Sequence, residues 1–172
     1  MSAPESLKEV YTDELKDLWS ANDQMTKAIK TLSEKIHDKK LKELFEGSHA
    51  GIEGHTATIR SLLEAAGGEV EKEHCKGMEG LVKEALKHGL KEAPEDGDLL
   101  DIVLIAQYQR MSHYGVTGFG TAAAYATALG LKDDAKQLKG IVADIYKADE
   151  YTSKQSERLA RLAARHAAAT TD

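Results

Sequence analysis

The stretch YTDELKDLWSANDQMTKAIKTLSEKI, residues 11–36, decides the fold. Its apolar residues recur at steps that alternate between four and three, which is the spacing of a helix that packs along one face. The seam consists of Tyr11, Leu15, Leu18, Asn22, Met25, Ile29, Leu32 and Ile36. At the usual rise of about 1.5 Å per residue, the pattern predicts an amphipathic helix of roughly eight turns, about 45 Å long.

Three further segments carry the same spacing. The second seam runs through Leu41, Phe45, Ser48, Ile52, His55, Ile59, Leu62 and Ala66. The third can be drawn through Leu99, Ile102, Ala106, Gln109, His113, Val116, Gly120 and Ala123. The fourth runs through Leu131, Ala135, Leu138, Val142, Ile145, Asp149, Thr152, Ser156 and Leu159. The four seams predict long helices over residues 5–36, 39–66, 96–129 and 131–165.

The connections between these helices predict their arrangement. His37-Asp38 separates the first two helices, Gly67-Gly68 ends the second, and Gly130 ends the third. Helices joined by short connections are antiparallel neighbours, whereas the long segment before Pro94 lets the chain cross the bundle. That segment has its own amphipathic piece over 75–91. We therefore predict an all-α, ferritin-like four-helix bundle of two antiparallel hairpins and a long crossover, with a short fifth helix in the crossover.

The composition limits the classes of protein to which the chain can belong. The chain has 172 residues, 41% hydrophobic and 30% charged, which predicts a single domain over 1–172 with a frayed tail at about 167–172. The apolar runs are far shorter than the ~20 residues of a membrane-spanning helix, so no membrane partner is expected. The 23 basic and 29 acidic residues give a net charge of −6 without a basic patch, so nucleic acid is not expected either. A single cysteine, Cys75, and the lack of a charged-then-apolar leader favour the cytoplasm.

Polar residues interrupt the four seams at about the same height. These are Asn22, His55, His113 and Asp149, and burying them unpaired would cost several kcal/mol each. In one interpretation they form a hydrogen-bonded network that fixes the register of the helices. In the other, the two imidazoles and the carboxylate of Asp149 hold a metal ion. Glu53 lies close enough along the second helix to join them.

Glycines interrupt the second and third predicted helices. They are Gly47, Gly51 and Gly54 on the second, and Gly115, Gly118 and Gly120 on the third. Each interior glycine costs about 1 kcal/mol of helix stability relative to alanine. Close approach of the backbones of these two helices is the commoner explanation, and a cavity is the other. A cavity of ~300 Å³ or more would indicate a third function, the binding of a small organic ligand.

Three segments carry a resemblance to a known family. They are DELKDLWSANDQMTKAI from Asp13, HCKGMEGLVKEA from His74 and LIAQYQRMSHYGVTGFGTAAAYATALG from Leu104. Over nearly its whole length the chain resembles the YciF/YciE-like stress proteins of the ferritin-like superfamily. The Cys-x-x-Met-x-Gly-Leu string of the middle segment is the most specific part. The resemblance implies a bacterial cytoplasmic protein associated with stress, a homodimer and a metal-binding bundle.

The chain departs from this family where the family places its metal ligands. Ferritin-like di-iron centres take a glutamate from each of two helices and Glu-x-x-His pairs from the other two. The corresponding family positions read here as Asn22, Ala50, Gly51, Ser112 and Gly115. With so few carboxylates, the four or so positive charges of two metal ions would not be neutralised in the interior.

These departures favour a structural or binding protein, not an enzyme, that carries no cofactor because its di-metal centre is largely lost. The alternative is a metal-binding oxidoreductase or metal-storage protein with a rearranged site in the middle of the bundle. That site would hold one or two Fe, Mn or Zn ions. Its ligands would be His55, His113, Asp149 and Glu53.

Overall fold

A computed structural model describes residues 3–67 and 70–169 of the chain. All regular secondary structure in these ranges is helical, so the all-α prediction is confirmed. The helices are α1 (Leu7–Ser33), α2 (Lys39–Ala66), α3 (Lys76–Leu86), α4 (Gly97–Ala128) and α5 (Lys132–Ala169), with a π-helical turn at Lys87–Lys91. Each helix end lies within a few residues of its predicted position, because periodicity and capping residues are local signals.

Short polar side chains and glycines set several helix ends. The Asp38 carboxylate accepts the backbone N–H of Leu41 at 2.9 Å and so begins α2, and Asp96 caps α4 in the same way. Gly67 and Gly130 follow α2 and α4 with φ angles of +73° and +77°. A glycine adopts this left-handed conformation without the steric cost that a Cβ atom would bring. The helix boundaries predicted at Asp38, Gly67 and Gly130 are therefore confirmed.

The long helices form two hairpins. Helix α1 packs along α2, and α4 packs along α5. The hairpins meet mainly where α1 faces α4, while contacts between α2 and α5 are sparse. Helix α3 lies in the connection between the hairpins and contacts both α1 and α4. These contacts are consistent with the predicted arrangement of two hairpins and a crossover helix.

Two apolar clusters fill the bundle, one toward each end. The first includes Met25, Leu32, Leu41, Phe45, Met78, Leu104 and Met111. The second includes Tyr11, Leu15, Leu18, Ile59, Phe119, Ala122 and Leu138. On α1 the change from one cluster to the other falls between Leu18 and Ala21, and on α2 it falls between Ile52 and Ile59. The middle of the bundle is thus the boundary between two separately packed cores.

The predicted seam of α1 is confirmed, whereas the one drawn along α4 is wrong in phase. All eight seam positions from Tyr11 to Ile36 are buried. On α4, however, Leu99 is 48% exposed while Leu100 and Leu104 are buried. Helix α4 packs against α1, α3 and α5, so apolar residues lie around most of its circumference. A heptad pattern can then be drawn in more than one phase.

Helix α5 continues to Ala169, beyond the predicted end at 165. Within the predicted frayed tail, residues 170–172 lie outside the described residues, as does Gly68 of the predicted Gly67-Gly68 stop. Within 3–67 and 70–169, none of the helices combines the length and apolar character needed to cross a membrane.

Candidate functional site

A cavity of about 410 Å³ lies in the middle of the bundle, where the two apolar clusters meet. Its walls come from all five helices and are mainly apolar, with Met25, Leu44, Ile52, Met78, Met111, Phe119 and Ile145 among them. The polar and small lining residues include Asn22, Glu43, Gly47, Ser48, Gly51, His55, Tyr108, Ser112, Tyr114, Gly115 and Asp144. The volume lies within the ~300–1,000 Å³ that is typical of ligand sites.

The mouth of the cavity lies between α2 and α5. The lining residues that are exposed to solvent are Glu43, Gly47 and Gly51 on α2 and Asp144 on α5. This opening follows from the sparse contacts between the two helices. Two carboxylates therefore flank the entrance.

The glycines of α2 do not serve close packing. A Cβ atom added at Gly47, Gly51 or Gly54 would meet nothing within 4 Å. The close-packing explanation is therefore wrong for α2, where Gly47 and Gly51 border open space. At Gly118 on α4 an added Cβ would lie 2.5 Å from Cδ2 of Leu18, so this glycine packs closely against a side chain of α1 and not against the backbone of α2.

Hydrogen bonds join some of the polar groups around the cavity. The Asn22 amide donates to Oγ1 of Thr56 at 3.2 Å, and Asn22 is 7% exposed. The hydroxyls of Ser48 and Tyr108 lie 2.8 Å apart and share a hydrogen bond. The first pair joins the neighbouring helices α1 and α2, and the second joins α2 to α4 across the bundle.

Two polar side chains of the cavity wall lack such a partner. Ser112 is 7% exposed, and its hydroxyl makes no hydrogen bond within residues 3–67 and 70–169. The His55 ring likewise has no hydrogen bond to any described residue and packs edge-on against Phe119, with ring centres 5.9 Å apart. Burial lowers the pKa of His55, while the nearby Asp144 carboxylate opposes that shift. The imidazole is therefore neutral at neutral pH and can donate or accept a hydrogen bond.

The four predicted metal ligands lie in three separate places. His113 Nε2 is 3.2 Å from Oδ1 of Asp149, but the His113 side chain is 51% exposed and does not line the cavity. The same Asp149 oxygen accepts a hydrogen bond from Gln109 at 2.8 Å. Glu53 is exposed on α2 beside His49, at 3.5 Å. His55 alone among the four lines the cavity.

The residues of the midsection do not fit a dinuclear metal centre. Four of the five positions where the resemblance places family carboxylates line the cavity with neutral groups: Asn22, Gly51, Ser112 and Gly115. The fifth, Ala50, is exposed on α2. In the described part of the chain, no three His, Cys, Asp or Glu side chains are grouped so that they could hold a metal ion. The single polar layer expected across the bundle is also absent from that part, because Asn22 and His113 belong to separate networks.

A hydrogen-bonded chain beside the cavity was not predicted. The Cys75 thiol donates to Oη of Tyr114 at 3.0 Å, and that hydroxyl donates to Asp17 at 2.8 Å. Burial raises the pKa of the thiol. Burial, followed by the hydrogen bonds to Cys75 and Asp17, raises the pKa of Tyr114. These three residues are far apart in sequence, so no local pattern could have indicated their contact.

The chain matches known proteins over most of its length. It is 30% identical over 135 residues to "Protein YciF" of Escherichia coli strain K12, covering 78% of this chain and 80% of that protein. The crystal structure of the E. coli stress protein YciF superposes with a TM-score of 0.85 at 26% identity, covering 92% of this chain and 99% of the other. YcfI from Rhodopseudomonas palustris, whose description suggests a structural protein, shares the fold. Its TM-score is 0.81 at 22% identity, covering 87% of this chain and 94% of the other.

A family described as a domain of unknown function, DUF892, matches residues 6–165. This range contains the four long helices almost completely, together with the crossover helix and every residue of the cavity wall. The chain therefore belongs to the DUF892 family and is similar in sequence and fold to the stress protein YciF.

Proposed function

We propose that this chain is a non-enzymatic, stress-associated cytoplasmic protein with a structural or binding role, in which the di-metal centre of ferritin-like proteins is largely lost. The observation that carries the proposal is the neutral and glycine-rich lining of the midsection at Asn22, Gly51, Ser112 and Gly115. The similarity to YciF, which is described as a stress protein, supports the association with stress. The lone buried Cys75 suits a reducing compartment.

Charge supports the loss of the di-metal centre. Two divalent ions need several anionic ligands in an interior of low dielectric constant. The only carboxylates on the described cavity wall are Glu43 and Asp144, and both are exposed at its mouth. Asp149 is engaged with His113 and Gln109 outside the cavity.

One observation favours the alternative of a metal-binding oxidoreductase or storage protein. His113 and Asp149 form a pair of adjacent donors on α4 and α5, and such a pair provides two of the ligands of a single-ion site.

Metal analysis of protein purified without chelators separates the two functions. We expect well under one equivalent of iron, manganese or zinc per chain and a melting temperature that does not respond to these ions. Two equivalents per chain would contradict the proposal. Metal that is bound by the wild type and by the surface control His88→Ala, but lost in His113→Ala, would establish the alternative.

We further propose that the chain forms a homodimer through an exposed helical face. Two tyrosines of α5 support this, because Tyr146 is 53% exposed and Tyr151 is 42% exposed, and tyrosine is enriched at interfaces. Sedimentation analysis should give twice the monomer mass, and Tyr146→Lys should shift the equilibrium toward monomer. A monomeric wild type at micromolar concentration would contradict this part of the proposal.

A further inference from the structure

We propose that the mid-bundle cavity binds a small, mainly apolar organic molecule whose head group is an amine or a hydroxyl, and that it discriminates against carboxylates. This inference rests on the proposed function in one respect, which is that no metal centre occupies the same space. The inference assigns a class of ligand to the cavity that lies between the two apolar clusters.

The helix glycines at the mouth give the first support. Gly47 and Gly51 lie in the interior of α2, where glycine weakens a helix relative to alanine. Packing does not explain them, since an added Cβ would touch nothing within 4 Å at either position. Because neither residue carries a side chain, the entrance between α2 and α5 stays open.

The cavity wall gives the second support. Three of the four methionines of the chain, Met25, Met78 and Met111, line it together with Phe119 and Ile145. Methionine side chains are flexible and polarisable, and they adapt to ligands of different shapes. A cavity of about 410 Å³ with such walls offers few partners to ordered water, so displacing its contents by an apolar molecule is favourable.

Ser112 gives the third and most specific support. Ser112 as a residue is 7% exposed and lines the cavity, and its hydroxyl has no hydrogen-bond partner among the described residues. Its oxygen keeps surface that is open to the cavity, so a ligand that enters replaces water as its hydrogen-bond partner. A hydroxyl or amine on a ligand would form this hydrogen bond, and the His55 ring, on α2, offers a second hydrogen-bonding atom in the lining of the same cavity.

Charge determines which head group is accepted. Glu43 and Asp144 flank the mouth, and no lysine or arginine belongs to the described wall. An amine entering this mouth is attracted, an alcohol is not affected, and a carboxylate is repelled. The cavity should therefore bind amines and alcohols more tightly than it binds carboxylic acids of the same chain length.

Three probes with the same apolar chain test this ranking directly: octylamine, octanol and octanoate. Protein carrying ¹³C-methyl methionine is titrated at neutral pH, and the methyl signals are assigned with Met→Leu variants. We expect octylamine and octanol to shift the signals of Met25, Met78 and Met111, and octanoate to bind at least about tenfold more weakly than octylamine. If none of the probes shifts these signals, or if octanoate binds as tightly as octylamine, the inference is wrong.

Matched variants locate the binding. Gly51→Leu should obstruct the mouth and weaken octanol binding at least about tenfold, whereas Gly54→Leu should leave it unchanged. Gly54 is an equivalent control, because it lies on the same helix with equally open surroundings but does not line the cavity. Equal loss in both variants would place the binding elsewhere.

Two further variants test the head-group contacts. Ser112→Ala should weaken octanol about fivefold, the effect of one hydrogen bond. The double variant Glu43→Gln/Asp144→Asn should bring octanoate closer to octylamine, whereas Glu46→Gln/Asp133→Asn, which changes two exposed carboxylates away from the cavity, should not. Unchanged octanol affinity in Ser112→Ala together with unchanged discrimination in Glu43→Gln/Asp144→Asn would overturn the proposed recognition.

The same preparations separate this inference from the proposed function. Two equivalents of metal per chain would contradict the proposed function regardless of the probes. A metal-free chain that ignores all three probes would contradict only the ligand inference.

Discussion

Glycine has opposite consequences at two positions of the bundle. At Gly118 an added Cβ would lie 2.5 Å from Cδ2 and 3.2 Å from Cγ of Leu18, and Leu18 is fully buried. At Gly54 an added Cβ would meet nothing within 4 Å. The same residue type therefore permits close helix packing in one place and only weakens a helix in the other.

We predict opposite signs for two alanine substitutions. Gly118→Ala should destabilise the protein by about 1–3 kcal/mol, because a buried leucine must move to admit the methyl group. Gly54→Ala should stabilise it by about 0.5–1 kcal/mol through helix propensity alone. Urea unfolding of the two variants measures both effects, and a Gly118→Ala variant as stable as the wild type would contradict the packing described here.

Glu14 provides a pH-dependent prediction. Burial, and then repulsion from Asp17, raises the pKa of its carboxyl group above the ordinary value. A raised folded-state pKa means that the native state binds the proton more tightly than the unfolded state does. The contribution of Glu14 to stability is therefore present below the unfolded-state pKa and is lost as the pH rises through the folded-state pKa.

Glu14→Gln should consequently be more stable than the wild type at neutral pH and show little difference at pH 4. Chemical unfolding at the two pH values measures the change, with Asp13→Asn as the control because Asp13 is exposed on the same turn. A larger gain at pH 4 than at neutral pH would show that the sign is wrong.

At the scale of elements, α3 is held in place by its first residues. The Cys75 sulfur accepts the backbone N–H of Met78 at 3.3 Å, so a cysteine caps the helix. The backbone N–H of Cys75 donates to the Ser20 hydroxyl at 3.0 Å, and the Gln24 amide donates to the Cys75 carbonyl at 3.0 Å. The crossover helix is thereby fixed to α1 at the point where it begins.

We predict that Cys75→Ala costs about 1 kcal/mol, the usual value for removing a capping side chain. Cys75→Ser should retain most of that stability, because a hydroxyl accepts the same backbone N–H. Thermal and urea unfolding compare the two variants. Equal stability of Cys75→Ala and the wild type would mean that the thiol only fills space.

At the scale of the whole molecule, one end of the bundle is closed by a buried carboxylate. Asp101 of α4 is 0% exposed and accepts the backbone N–H groups of His37 and Asp38, at 3.0 and 2.6 Å. Asp38 in turn lies 2.7 Å from Nη2 of Arg158 on α5. The turn between α1 and α2 is thus tied to both helices of the other hairpin.

Asp101→Ala should therefore destabilise the fold by about 2–3 kcal/mol, since two backbone N–H groups in a partly buried contact lose their carboxylate acceptor. Asp101→Asn should cost less, because its amide oxygen still accepts one of them. The exposed Asp133→Ala serves as the control in urea unfolding. A loss below about 0.5 kcal/mol in Asp101→Ala would contradict the role of this contact in joining the hairpins.

The helices were predictable from the sequence, but the face that each helix buries was only partly so. The seam of α1 has one apolar side, and its phase is confirmed from Tyr11 to Ile36. Helix α4 is apolar around most of its surface. The spacing of its apolar residues therefore could not predict that His113 lies on the exposed side of the helix. Asn22 and His55 line the cavity in the middle of the bundle. The metal site predicted at His55, His113, Asp149 and Glu53 stays a prediction.

By itself, the sequence determined the number of helices, their ends and their pairing into hairpins, because hydrophobic period, capping residues and connection length act over short distances along the chain. Only the tertiary structure decided that Gly47 and Gly51 border open space while Gly118 packs against Leu18, and that Ser112 faces a cavity without a partner. Those properties depend on the distance between helices that are far apart in sequence. That distance is set by the combined packing of all side chains between them and by no single segment.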